Sequence, residues 1–144
     1  MIRVIVQPQD FDPADEFQRL GRAGALSTFT GHVRGDGGLV EMNLEHYPEM
    51  TERSLSRLAA QATERWPLLS VTVIHRYGAL APGDRIVFVG TASSHRAAAI
   101  EACSFLIDQL KTAAPFWKQE RFADGTERWV EARESDDEAA ARWD

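Results

Sequence analysis

Between Pro48 and Trp66 the apolar residues recur at helical spacing and at no other. Leu55, Leu58, Ala59, Ala62 and Trp66 fall at i, i+3, i+4, i+7 and i+11, while Glu52, Arg53, Arg57, Glu64 and Arg65 take the opposite side. A one-sided stripe of this kind is stable only when that face is covered. A second helical stretch runs from Arg96 to Lys111, with Ile100, Cys103, Ile107 and Leu110 in one line. It stops before Pro115, because the residue preceding a proline is pushed out of helical geometry. Two long helices with one apolar face each require a surface for both to cover.

The segments between them supply strands. Arg3 to Gln7 reads as the first. Asp12 then stands as an N-cap before Pro13 at the first helical position, with Asp15 and Glu16 favourable in the first turn, and this short helix ends near Gly21 or Gly24. Ala25 to Arg34 alternates, placing Phe29, Gly31 and Val33 on one face and Thr28, Thr30, His32 and Arg34 on the other. After the Gly35–Gly38 turn, Leu39 to Tyr47 returns with Val40, Met42 and Leu44 as its apolar face. Ser70 to Arg76 and Arg85 to Thr91 are joined through Gly78 and the turn Pro82-Gly83-Asp84. Phe116 to Phe122 and Thr126 to Glu131 form a hairpin around Asp124-Gly125. Ser135 and Glu138 make a capping-box pattern for a short terminal helix near 135–143, docked through Trp143, with a solvated, frayed end as the alternative. This order predicts one α+β domain over residues 1–144 with a largely antiparallel sheet.

Charge and composition narrow the function. The longest apolar runs are short strands such as Val71 to Ile74, far below the ~20 residues of a membrane span. No basic segment followed by a long apolar stretch opens the chain, so the expected address is the cytoplasm. Cys103 is the one cysteine, which excludes an internal disulfide and any multi-cysteine metal site. The four histidines, His32, His46, His75 and His95, show no ligand spacing, and neither a metal nor another cofactor is expected. The net charge is −6, of which residues 131–144 carry −4 through six acids and two bases. That balance speaks against non-specific nucleic-acid binding but leaves room for a local basic pocket.

Three places carry candidate chemistry. Ser93-Ser94-His95-Arg96 sits where a strand gives way to a helix, and backbone N–H groups there favour anions. The same tetrapeptide also reads as a capping serine, Ser94, followed by a surface charge. Lys111 ends a helix, where a cation suits the exposed carbonyls, and Lys118 follows Trp117 on a strand. Each has an ordinary structural explanation, but Pro115, Phe116 and Trp117 form a rigid aromatic neighbourhood able to exclude water from an amine. Glu120 shares a strand face with Lys118. Arg34 ends a strand beside a glycine-rich turn, two residues after His32, and suits bidentate phosphate contact. His46 and His75 read as strand residues with no obvious partner, and Cys103 as an inert thiol on a buried helix face.

Taken together, His75-Arg76-Tyr77-Gly78, Pro82-Gly83-Asp84, Ser94-His95-Arg96, Lys111, Ala114 through Glu120 and Arg128 through Arg133 resemble the molybdopterin synthase large-subunit family in order and spacing. The similarity runs from the first strand to Trp143 and is most specific from Ser94 to Glu120. The resemblance implies an α/β hammerhead fold with an added antiparallel subdomain. It implies an enzyme, a sulfurtransferase of molybdenum cofactor biosynthesis, converting cyclic pyranopterin monophosphate to molybdopterin by adding two sulfurs as a dithiolene. The sulfur donor would be the thiocarboxylated C-terminal glycine of a small ubiquitin-like subunit, and the assembly a homodimer within a 2+2 heterotetramer. On the same basis Lys111 is the leading catalytic group and Lys118 the second. His32, Val33 and Arg34, with His95 and Arg96, would hold phosphate and pterin in a pocket shared between two copies, and Gln119 and Glu120 would line it. Gln119 stands where the family often has a basic residue. Two other readings fit the element order: a ferredoxin-like domain binding a small anion or RNA, and a phosphate-handling enzyme without sulfur chemistry. The acidic balance opposes RNA, and neither a nucleophile nor a metal site is visible for the last.

Overall fold

A computed structural model describes residues 1–113, 116–130 and 134–144. The chain runs β1 (Ile2–Gln7), α1 (Pro13–Arg19), β2 (Ala25–His32), a single 3₁₀ turn (Asp36–Gly38), β3 (Leu39–His46), α2 (Pro48–Arg65), β4 (Leu68–Arg76), β5 (Gly78–Leu80), β6 (Arg85–Ser93), α3 (Arg96–Ala113), β7 (Phe116–Phe122), β8 (Glu127–Val130) and α4 (Glu134–Ala141). The strands form two four-stranded sheets, in the orders β1-β4-β6-β2 and β5-β3-β7-β8. Among the described residues only β1 and β4 pair in parallel; every other pairing is antiparallel. The α+β class and its added antiparallel sheet are therefore as the sequence implies.

Helices α2 and α3 cover one face of the first sheet. Leu55, Leu58, Ala59 and Ala62 of α2 meet Val71 and Val73 of β4, Val87 and Val89 of β6, and Cys103, Phe105, Leu106 and Leu110 of α3. Ala98, Ala99 and Ala102 are buried, and such small side chains let α3 lie close on the sheet. The buried stripe of α3 is thus centred on Ala99, Ala102, Leu106 and Leu110, not on the line through Ile100, which is 59% exposed. The opposite face of the sheet packs Ile74 and Phe88 on Phe11, beside the short α1. Asp12 caps that helix by accepting the Ala14 N–H at 3.0 Å, and Glu16 is buried in a two-point ion pair with Arg3.

The second sheet has its own core of Val33, Leu39, Leu44 and Leu80. An irregularity between Leu39 and Glu41 shifts the register of β3 against β7. As a result Leu39 is buried and Val40 is 41% exposed, contrary to simple alternation from Val40. A strand irregularity of this kind moves every residue on one side of it to the other face. At the C-terminus, α4 lies on α3: Trp143 donates its indole N–H to Asp108 at 2.7 Å, and its ring meets Trp66 and Phe105 edge-on. The expected helix stop at Pro115, the strand end at Glu131 and the Ser135 side chain of the capping box lie outside the described residues.

Candidate active site

The two sheets meet the C-terminal end of α3 around a cavity of about 100 Å³. Its walls come from β2 (Phe29, Gly31, His32), β4 (His75), β6 (Ile86, Val87), α3 (Ile107, Leu110, Lys111) and β7 (Phe116, Lys118). Each wall follows from a local pattern. Ile107, Leu110 and Lys111 occupy one face of the last turns of α3, with Leu110 buried and Lys111 exposed. On β7 the period of two puts Phe116 and Lys118 on the same inner face. A Cβ added at Gly31 would come within 2.9 Å of Val87 Cγ1, so glycine there keeps the β2 wall thin.

His75 forms the floor. Val71 and Val73, on the same face of β4, are buried under α2 and α3, and His75 continues their row. Phe116 stacks on its ring with centroids 3.8 Å apart and planes at 17°. The other partner of Phe116 is His46, at 5.6 Å and 30°, and His46 in turn lies 4.1 Å from the Tyr77 ring. The two histidines that show no partner in the sequence are therefore on either side of one phenylalanine. Both ring orientations are fixed at Nδ1. His75 Nδ1 is 2.8 Å from the Arg76 carbonyl, which can only accept, so Nδ1 carries the proton. His46 Nδ1 lies 3.1 Å from Thr51 Oγ1, whose own proton goes to the Tyr47 carbonyl.

Burial holds His75 down to a pKa of about 4, and the charges of Lys118 and Lys111 and the nearby His46 push the same way; the bond to the Arg76 carbonyl opposes them. The imidazole is therefore neutral at physiological pH. Burial also lowers the pKa of His46, against the pull of Glu52. The positive charge of the cavity belongs to its lysines.

The remaining candidates distribute unevenly. Lys111, Lys118 and His32 share the cavity. Val33 is buried in the second core, its N–H given to Asp84 and its carbonyl taken by Gly83. Arg34 is exposed and 3.8 Å from Asp36. Glu120 accepts from Arg128 at 3.1 Å, and Gln119, on the other face of β7, reaches Glu127 at 3.4 Å. His95 and Arg96 are exposed at the start of α3. Fifteen residues of helix separate Arg96 from Lys111, about 22 Å at the α-helical rise. Within one chain they do not join the lysines. The serine oxygen that closes this helix start is that of Ser93, which accepts the His95 N–H and donates to the Pro67 carbonyl, while Ser94 is exposed. Cys103 is buried, with its thiol pKa raised by burial. Of the cavity residues, sequence reasoning passes over His75 and the apolar wall of Phe29, Gly31, Ile86, Val87, Ile107 and Leu110 as parts of a site. For His75 the available signal was a polar residue ending a buried apolar row.

Fold and cavity together define a small α+β protein with a half-apolar, lysine-flanked site suited to an anionic small molecule or a carboxylate tail. Residues 6–113 match the MoaE protein family, and the chain belongs to that family. It is 52% identical over 148 residues to the molybdopterin synthase catalytic subunit of Escherichia coli (strain K12), covering 98% of this chain and 97% of the relative. It superposes on the molybdopterin biosynthesis MoaE protein from Burkholderia ambifaria MC40-6 with a TM-score of 0.85 and 48% identity, over 99% and 98% of the two chains. The same fold recurs, at 18% identity and a TM-score of 0.69 over 92% and 90% of the chains, in the complex of subunits 1 and 2 of molybdopterin-converting factor from Helicobacter pylori 26695. The chain is an enzyme of sulfur transfer in molybdopterin formation. Among the described residues no helix is long and apolar enough to cross a membrane.

Proposed function

We propose that this chain converts cyclic pyranopterin monophosphate to molybdopterin, taking two sulfurs from the thiocarboxylated C-terminal glycine of a small ubiquitin-like subunit. The observation that carries this reading is the convergence of Lys111 and Lys118, from a helix and a strand, on one cavity with an apolar wall. Cations beside an apolar wall suit both a cyclic phosphate and the tail of a donor protein, because charge-assisted bonds strengthen where water is thin. Lys111 is the principal catalytic group and Lys118 its electrostatic or acid–base partner. Cys103, sealed in the core, offers no relay, so sulfur comes from outside the chain. The Helicobacter complex of two subunits supports a small-subunit partner.

His32 lies at the cavity and Arg34, just past the end of β2, contacts the phosphate, while Val33, its backbone already bonded to Asp84 and Gly83, takes part by holding these two neighbours in place. His95 and Arg96 complete a phosphate site for a second copy rather than for their own, since about 22 Å of α3 separates them from Lys111. Gln119 and Glu120 form the rim. The working assembly is then a homodimer carrying two small subunits, in the cytoplasm. The decisive experiment is reconstitution with thiocarboxylated small subunit and cyclic precursor. Lys111→Ala should abolish dithiolene product while the fold and dimer persist; near-normal turnover would overturn the assignment.

A further inference from the structure

The proposed mechanism leaves one buried titratable group of the cavity without a task. His75 ends the row Val71, Val73 on the covered face of the first sheet, where its burial is that of a core residue. A position with only a packing role there would favour an apolar ring, since burying an imidazole costs the loss of its hydration. The ring is nonetheless polar and held from two directions. Phe116 fixes its plane, and the Arg76 carbonyl takes the Nδ1 proton. In the neutral ring this leaves Nε2 as a lone-pair acceptor that cannot rotate away. The charged and titratable groups that act on it are basic, Lys118 from β7, Lys111 from α3 and His46 from β3, and His32 lines the same cavity.

We propose that His75 is a positioning residue of the sulfur-transfer reaction, its imidazole serving as a fixed, uncharged acceptor that orients one lysine ammonium group of the cavity toward the substrate. A neutral acceptor does this better than a carboxylate would. It directs an N–H bond without neutralising the charge that the substrate needs, and it adds no competing anion. The two-sided clamp by Phe116 and the backbone explains why the ring is positioned before substrate arrives, which is where an electrostatic site gains its advantage.

The inference rests on the catalytic role proposed for Lys111, so both are tested in one assay of the reconstituted complex. His75→Phe keeps the stack on Phe116 and removes the acceptor; kcat should fall about tenfold or more with KM for the cyclic precursor within about threefold. His75→Gln, which restores an acceptor, should recover a large part of that loss. Loss of product in Lys111→Ala with wild-type kcat in His75→Phe overturns the His75 inference alone. Full activity in Lys111→Ala overturns the reading beneath it. Should His75→Phe fail to fold, ¹⁵N spectra of the wild-type imidazole decide the matter at about pH 7. A neutral ring protonated at Nδ1 is expected, and an Nε2–H tautomer or a charged ring overturns the proposal.

Discussion

At the scale of single residues, His75 links the chemistry of the cavity to the stability of the fold. Its folded pKa, about 4, lies below the ordinary value of 6.5. The unfolded chain therefore binds the proton more tightly between those values. The stabilisation from keeping the ring neutral is fully present above about pH 6.5 and is lost as the pH falls toward about 4. At about 1.4 kcal/mol per pH unit, the interval corresponds to roughly 3 kcal/mol. His46, also lowered by burial, acts in the same direction. Urea unfolding of the wild type should show a midpoint that falls steeply over this window, and His75→Phe should flatten the fall. Equal slopes for the two proteins would mean that the ring is not held neutral by its surroundings. The same residue shows where sequence reasoning stops. Periodicity places His75 on the buried face of β4, yet its partner Phe116 arrives from a strand 41 positions later, and periodicity carries no information about partners in another sheet. Lys111 and Lys118 became candidates through their aromatic neighbourhood and the family resemblance; that they share one cavity is a tertiary fact.

At the scale of elements, the long helices and the strands of the first sheet were legible because their patterns are strong and their faces covered. The misreadings occur where one residue's displacement rotates a face. In β3 the irregularity after Leu39 exchanges Leu39 for Val40 in the core. In α3 a wealth of apolar residues leaves the direction of the stripe undetermined, and the three-residue β5 is too short to show a period. The C-terminal helix was legible in kind despite its acids, and Trp143 and Arg142 at its end help to dock it. Trp143 bonds Asp108, packs edge-on against two rings and receives Arg65 at its carbonyl, while Arg142 pairs with Asp108 at 2.8 Å. Trp143 remains partly exposed, so Trp143→Ala should cost less than a fully buried tryptophan, about 1–3 kcal/mol. The helix and the residues after it bond Ser104, Asp108 and Gln109 of α3, none of which lines the cavity. Chemical denaturation should therefore register the loss while kcat stays near wild type. A cost below about 0.5 kcal/mol, the usual range of surface substitutions, would show that α4 is not held through this ring.

At the scale of the whole molecule, the fold separates two cationic regions along one helix. Lys111 stands at the C-terminal end of α3 beside the cavity, and His95 and Arg96 stand at its other end, exposed and about 22 Å away. A rigid helix cannot fold these ends onto one substrate. If all of them serve one reaction, the ends must come from two copies, and each dimer then holds two equivalent composite sites. Order along the chain could not reveal this, since sequence spacing is the same whichever copy a residue serves. The arrangement makes a quantitative prediction. Lys111→Ala and Arg96→Ala homodimers should each be inactive or nearly so. In a mixed dimer of the two variants, one composite site receives both substitutions and the other receives neither. Random pairing makes half of the dimers mixed, so about a quarter of all sites become intact and activity should return to about a quarter of wild type. A site built within one chain would give no recovery on mixing, because every copy would carry a defect in its own site. Co-refolding the two variants, assaying with the small subunit and cyclic precursor, and confirming subunit exchange with differently tagged copies separates these outcomes.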